Sequence, residues 1–194
     1  MVMFSVYILF LTRFTGQQDI ACSFISAGRE HAALHNIIGF FVNSVIFKTR
    51  VDEQESFEAF LQRMNKDILE IFAYQNYPLE LVFEELQMKY PDIPVSFNMV
   101  NLQDAPVTRE QPPQQPAHVE KSQDVKFDLE PYIKEYKNGI YIYWAYKKKL
   151  FTPKTIEYMA LEYIKLLDYF ASHLNSNYKT YRDRGSKPTF KKRG

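Results

Sequence analysis

Residues 39–48 form a near-continuous apolar run rich in Phe, Val and Ile. A run this short and this apolar is the pattern of a β-strand buried on both faces. Such a strand needs a sheet covered on each side, and the same chain carries the helices to do it. Phe57, Phe60, Leu61, Met64, Ile68, Ile71 and Phe72 recur at helical spacing behind Ser56, a residue suited to cap a helix. Ile156, Met159, Tyr163, Ile164, Leu167, Phe170 and Leu174 repeat the pattern behind Thr152 as cap and Pro153 at the first helical position. Helix and strand patterns alternate along the whole chain, which predicts an α/β fold.

The remaining elements follow from local signals. Residues 2–14 read as a buried helix ended by Gly16. Residues 20–26 read as a strand, followed by a turn at Gly28-Arg29 and a helical turn over 30–36. Residues 74–78 break the second helix, and 79–86 restart one. Pro94 leads into a strand over 95–102. The proline-rich stretch 104–124 predicts a long extended loop. Residues 126–136 and 140–146 form a predicted hairpin, with Asn138-Gly139 supplying the positive φ angles of its turn. Residues 1–175 are expected to form the lobe and 176–194 a basic, disordered tail.

Composition removes several classes of function. The chain has 194 residues, enough for one domain with a sizeable core, and a net charge of +1. That balance argues against a nucleic-acid partner. The apolar N-terminus has no basic n-region and is too short to span a bilayer, so no membrane partner is expected. Cys22 is the single cysteine, which excludes an internal disulfide and fits a reducing cytoplasm. No phosphate-binding glycine loop, Gly-x-Ser-x-Gly elbow or Cys-x-x-Cys pair is present. His31 and His35 stand four apart, but Ala32 holds the place where a zinc protease has its Glu, and no metal site is expected.

Several stretches, in order, resemble the condensation domains of nonribosomal peptide synthetases. Residues 6–17, ending Leu11-Thr12-Arg13-Phe14-Thr15-Gly16-Gln17, look like the helix that opens that family's second lobe. Ala27-Gly28-Arg29 matches the A-G-R turn, and Ile38-Gly39-Phe40-Phe41-Val42-Asn43-Ser44 matches I-G-x-F-V-N-T/S. Tyr74-Gln75-Asn76-Tyr77-Pro78-Leu79-Glu80 resembles H-Q-D-Y-P-F-E, with Tyr74, Asn76 and Leu79 as departures. Asn101-Leu102-Gln103 resembles the end of F-N-L-Q-N, and Lys126-Phe127-Asp128-Leu129 matches K-F-D-L. Leu150-Phe151 and Thr155-Ile156 resemble the entry to the last helix.

The resemblance implies one lobe of a two-lobe fold like chloramphenicol acetyltransferase, a mixed sheet flanked by helices. Such domains join a carrier-bound aminoacyl or peptidyl thioester to the amine of an amino acid on a second carrier. The catalytic motif, H-H-x-x-x-D-G, closes the first lobe. His31, His35, His118 and His173 match no part of it, so no catalytic residue carries over and the chain is expected to be inactive alone. A chain that opens inside a helix and ends on an unrelated basic stretch implies a gene remnant, a split gene or an expressed fragment.

The implied partners are the N-terminal condensation lobe and peptidyl carrier proteins. Phosphopantetheine sits on those carriers, and no cofactor is expected on this chain. The exposed inter-lobe face would also favour a homodimer. Candidate tunnel or inter-lobe residues are Asn43, Gln75, Tyr77, Asn101 and Gln103. Asn43 is weighed more toward tying its strand to a loop than toward substrate, and Gln75 and Tyr77 toward shaping the acceptor end. Gly28, Arg29, Gly39, Pro78 and Asp128 are structural motif positions, with an ion pair expected of Arg29 and a salt bridge or cap of Asp128. Two rivals remain: a module that binds carriers or a partner lobe, and an oligomeric acyltransferase of the same superfamily.

Overall fold

The computed structural model describes residues 1–29, 31–34, 36–89, 93–99, 125–136 and 139–184. Along the chain run α1 (Val2–Thr15), β1 (Asp19–Ser26), a 3-10 turn (Ala32–Leu34), β2 (Asn43–Arg50), α2 (Phe57–Phe72) and α3 (Leu79–Glu85). They are followed by β3 (Ser96–Met99), β4 (Leu129–Tyr136), β5 (Gly139–Tyr146), α4 (Pro153–Ser172) and α5 (Tyr178–Arg184). The strands are ordered β2-β1-β3-β4-β5 in one mixed sheet. The sheet is parallel from β1 through β4 by way of β3, and β4 and β5 form an antiparallel hairpin. The chain divides into two compact units, Met1–Ala21 with Phe47–Tyr74 and Glu157–Gly194, and Cys22–Ile46 with Gln75–Ile156.

The first unit is organised by helices. Every residue of α1 from Phe4 to Thr12 is buried, as a helix apolar on all sides must be. Gly16 ends it in the left-handed region at φ 72°, where its N–H reaches the Thr12 carbonyl. Tyr7 and Phe10 meet Tyr163 of α4 edge to face, and the Tyr163 hydroxyl donates to the Met3 carbonyl at 2.8 Å. Ser56 caps α2 through the Ala59 N–H, and Phe57, Phe60, Met64 and Ile68 turn inward. Phe170 is fully buried and packs on Phe57, with ring centroids 4.7 Å apart.

Two expectations change here. On α4 the buried set is Ile156, Met159, Glu162, Tyr163, Leu166 and Phe170, while Ile164 and Leu174 are exposed. Steps of three and four keep the stripe on one face, and Leu174 lies beyond the helix end at Ser172. The tail from 176 was expected to be disordered, yet α5 occupies Tyr178–Arg184. Backbone bonds hold it: Phe57 N–H to Ser176 O at 2.8 Å, Glu58 N–H to Leu174 O at 2.9 Å and Lys179 N–H to Glu53 O at 2.9 Å. Tyr178 is buried, and Arg182 pairs with Glu53. Basic composition was a poor guide because those anchors lie far off in sequence. Residues 185–194 lie outside the described residues.

The second unit is built on the sheet. Phe24, Phe97, Leu129, Ile133, Trp144 and Tyr146 are buried. The run 39–48, expected as a strand buried on both faces, becomes strand only from Asn43, and residues 37–42 form a loop. β2 lies at the sheet edge and alternates, with Val45, Phe47 and Thr49 buried and Lys48 and Arg50 exposed. Strand β3 is seen over Ser96–Met99 of the predicted 95–102, the later residues and the 104–124 loop lying outside the described ones.

Truncating a wholly buried ring leaves a cavity that neighbours fill only in part. Phe170→Ala is therefore expected to destabilise the chain by about 3–5 kcal/mol, and Ser56→Ala by about 1 kcal/mol. Urea denaturation followed by circular dichroism measures both, and equal losses would contradict the packing described.

Candidate functional site

Three of the sequence motifs meet in the second unit around the end of β1. The A-G-R turn follows β1, with Gly28 at φ 63°. A Cβ on Gly28 would stand 2.0 Å from the Phe41 carbonyl oxygen, so only glycine lets the two backbones approach this closely. Arg29 then reaches across the loop before β2. Its guanidinium donates to the carbonyls of Leu34, Ile37 at 2.9 Å and Gly39 at 3.2 Å, and covers the Phe41 ring at 4.4 Å. The planar fork suits such multiple acceptance, and a lysine would not reproduce it.

The third motif is tied to the same place. Asn43, half-buried, donates its amide to the carbonyls of Gln75 at 2.6 Å and Tyr77 at 3.1 Å. The Ser26 hydroxyl donates to the Gln75 side chain and accepts from the Gly28 N–H at 3.3 Å. Tyr77 donates its phenol to Glu85 at 2.5 Å, and that carboxylate holds the phenol pKa above its usual value. Pro78 stands at the N-cap of α3 with extended backbone and so sets where the break ends.

The sequence candidates therefore divide. Gly28, Arg29, Gly39, Asn43, Gln75, Tyr77 and Pro78 form one connected loop cluster. Arg29 acts as a clamp on the backbone carbonyls of the loop before β2. Asp128 lies apart, in a salt bridge with Lys147 at 2.7 Å that helps close the β4–β5 hairpin. Asn101 and Gln103 lie outside the described residues. Ser26 and Glu85 are members that sequence reasoning missed. A serine ending a strand just before a glycine turn was the available signal for the first.

The cluster leaves an apolar surface. Ile38 is fully exposed at 102% and Phe40 at 89%, with Ile37 and Val42 also exposed. The loop is shaped by polar bonds beneath it and not by burial of its own side chains. No group of His, Cys, Asp and Glu suited to a metal occurs among the described residues. No helix there is long and apolar enough to cross a membrane. Cys22 is buried, and burial, aided by the nearby Glu130 charge, pushes its thiol pKa well above the usual range.

A four-domain nonribosomal peptide synthetase, solved in its holo form with AMP and glycine, superposes with a TM-score of 0.82 at 18% identity, covering 92% of this chain and 15% of that one. The first condensation domain of the calcium-dependent antibiotic synthetase superposes with a TM-score of 0.70 at 16% identity, covering 92% and 39%. In sequence the chain is 31% identical over 172 residues to gramicidin S synthase 2 of Brevibacillus brevis, covering 86% of this chain and 4% of that one. It is 32% identical over 181 residues to surfactin synthase subunit 1 of Bacillus subtilis strain 168, covering 87% and 5%. It thus spans about one-twentieth of the length of these relatives. The condensation-domain family profile matches residues 1–184, and the chain belongs to that family.

Two outcomes are expected. Gly28→Ala and Arg29→Lys should each speed amide hydrogen exchange over residues 31–42 while leaving α1 protected; uniform loss of protection would contradict a local clamp. Cys22 should resist thiol reagents until the chain unfolds. Its folded pKa is raised, so its contribution to stability is complete below the unfolded value of about 8.5 and is lost as pH rises above it. Unfolding free energy should fall steadily as pH rises from about 8 upward, and Cys22→Ala should flatten that slope.

Proposed function

We propose that this chain is the C-terminal half of a condensation domain and builds one wall of an amide-forming tunnel with that domain's N-terminal half. The carrying observation is the loop over residues 37–42, which Arg29 holds in shape while Ile38 and Phe40 face outward. A preformed apolar surface of that kind marks a site for a protein partner. The chain also covers 39–45% of the solved condensation-domain chains it resembles.

In this reading the chemistry belongs to the complete domain. A carrier-bound thioester is attacked by the amine of a second carrier-bound amino acid, forming an amide and releasing the first carrier's thiol. The phosphopantetheine arms belong to those carriers. The sequence has four histidines and no His-His pair, so the N-terminal half supplies the motif that orients or deprotonates the amine. This half contributes position, and holding two reactants in register is a large part of such a rate. Asn43, Gln75 and Tyr77 shape the acceptor end, and Asn101 and Gln103 are the proposed contacts along the tunnel. Alone the chain is inactive. Its single, buried cysteine suits a cytoplasmic setting.

The test mixes this chain with a separately expressed N-terminal half and donor and acceptor carriers loaded with aminoacyl groups. The expected result is a higher unfolding temperature for the mixture and an amide product seen only with both halves. Ile38→Asp and Phe40→Asp, both on the exposed loop, should abolish the shift without unfolding the chain. A mixture with no shift and no product would overturn the reading.

A further inference from the structure

The first unit holds a cleft of about 520 Å³ that the condensation reading leaves unused. It is lined by Arg13, Tyr158, Glu162, Lys165, Tyr169, Tyr181 and Arg184. Three helices supply these residues: the last turn of α1, one polar stripe of α4 at helical spacing, and α5. Its volume lies in the range of small-molecule sites, roughly 300–1,000 Å³.

The charges in the cleft do not balance. Three cations, Arg13, Lys165 and Arg184, face a single carboxylate, Glu162. That carboxylate is already engaged twice. Arg13 Nε lies 3.4 Å from one oxygen, with both side chains almost fully buried, and Lys165 Nζ lies 2.7 Å from the other. Lys165 is itself largely exposed, and its pKa is held up by that hydrogen bond. Arg184 is exposed and lies over the Tyr169 ring at 5.7 Å. The lining therefore carries two positive charges in excess, with Lys165 and Arg184 exposed and the Arg13–Glu162 pair buried.

The walls are aromatic. Tyr169 and Tyr181 meet at 4.9 Å, Arg13 covers Tyr181 at 5.4 Å, and Tyr158 packs on Phe14 at 6.2 Å. Burial raises the Tyr181 pKa, with Glu162 adding to the effect, so its phenol stays protonated and able to donate. A twofold positive excess matches a dianion, and tyrosine walls match a flat group attached to it. We propose that this cleft binds a small organic phosphate monoester, with the phosphate between Lys165 and Arg184 and its planar part along Tyr158 and Tyr181.

The proposal does not depend on the reading of the chain as half of a condensation domain, and its test uses the chain by itself. Phenyl phosphate, inorganic phosphate and phenol are titrated calorimetrically into the full 194-residue chain. Phenyl phosphate should bind about tenfold more tightly than inorganic phosphate, and phenol not measurably. Lys165→Gln and Arg184→Gln, both at exposed positions, should each weaken phenyl phosphate about tenfold, while Lys66→Gln on the exposed face of α2 should leave it unchanged. Unfolding temperatures of the three variants without ligand check that each still folds. Absence of phenyl phosphate binding, or equal loss in Lys66→Gln, would overturn the site. Equal affinity for phenyl and inorganic phosphate would overturn the planar part.

Discussion

Arg29 does for the loop before β2 what a neighbouring strand does elsewhere: it satisfies backbone carbonyls. The carbonyls of Leu34, Ile37 and Gly39 point at one guanidinium, and Phe41 lies against its face. A loop with few buried side chains has little hydrophobic reason to keep one shape. Here the shape comes from charge-assisted hydrogen bonds, which are stronger than neutral ones. Gly28 makes that possible, because a side chain on it would collide with the Phe41 carbonyl. Asn43 extends the same logic to the next segment by joining β2 to the Gln75 and Tyr77 carbonyls. The three motifs thus work as one hydrogen-bonded assembly.

That construction explains how the loop can present Ile38 and Phe40 to the outside. In an ordinary loop, exposed apolar side chains would fold back or draw the backbone with them. A polar frame beneath them leaves the backbone fixed and the apolar groups turned outward. The first unit uses different means. Its core is the apolar helix α1 set among the rings of α2 and α4, with Arg63 reaching Glu55, Thr49 and the Arg50 carbonyl to tie α2 to the end of β2. Its cleft is possible because Arg13 and Glu162 neutralise each other on the floor, since neither charge would be tolerable alone at that depth.

Much of the secondary structure was legible in the sequence because its signals are local. Gly16, Ser56, Thr152 with Pro153, and the break at Pro78 each act within a turn or two of chain, and each lies where its chemistry predicts. The hairpin of β4 and β5 is local in the same sense. The expectations that changed all depended on distant neighbours. Residues 39–42 have the composition of a buried strand but lie in a loop, because Arg29 captures the backbone and β2 has a partner on one side only. The segment 178–184 looks like a solvated tail but folds onto Glu53 and the start of α2.

The sequence by itself determined the α/β class, the order of the elements from α1 to α4, the family and the absence of a His-His pair, since each is carried by residue type and spacing along the chain. Tertiary structure alone decided that the A-G-R, I-G-F-F-V-N and Y-Q-N-Y-P stretches form one cluster, that Ile38 and Phe40 face outward, and that Arg13, Lys165 and Arg184 share a cleft. The reason is physical. A cap or turn acts over about four residues of chain, whereas a guanidinium chooses among carbonyls and a ring chooses its packing partner only after the backbone has brought them within a few ångströms.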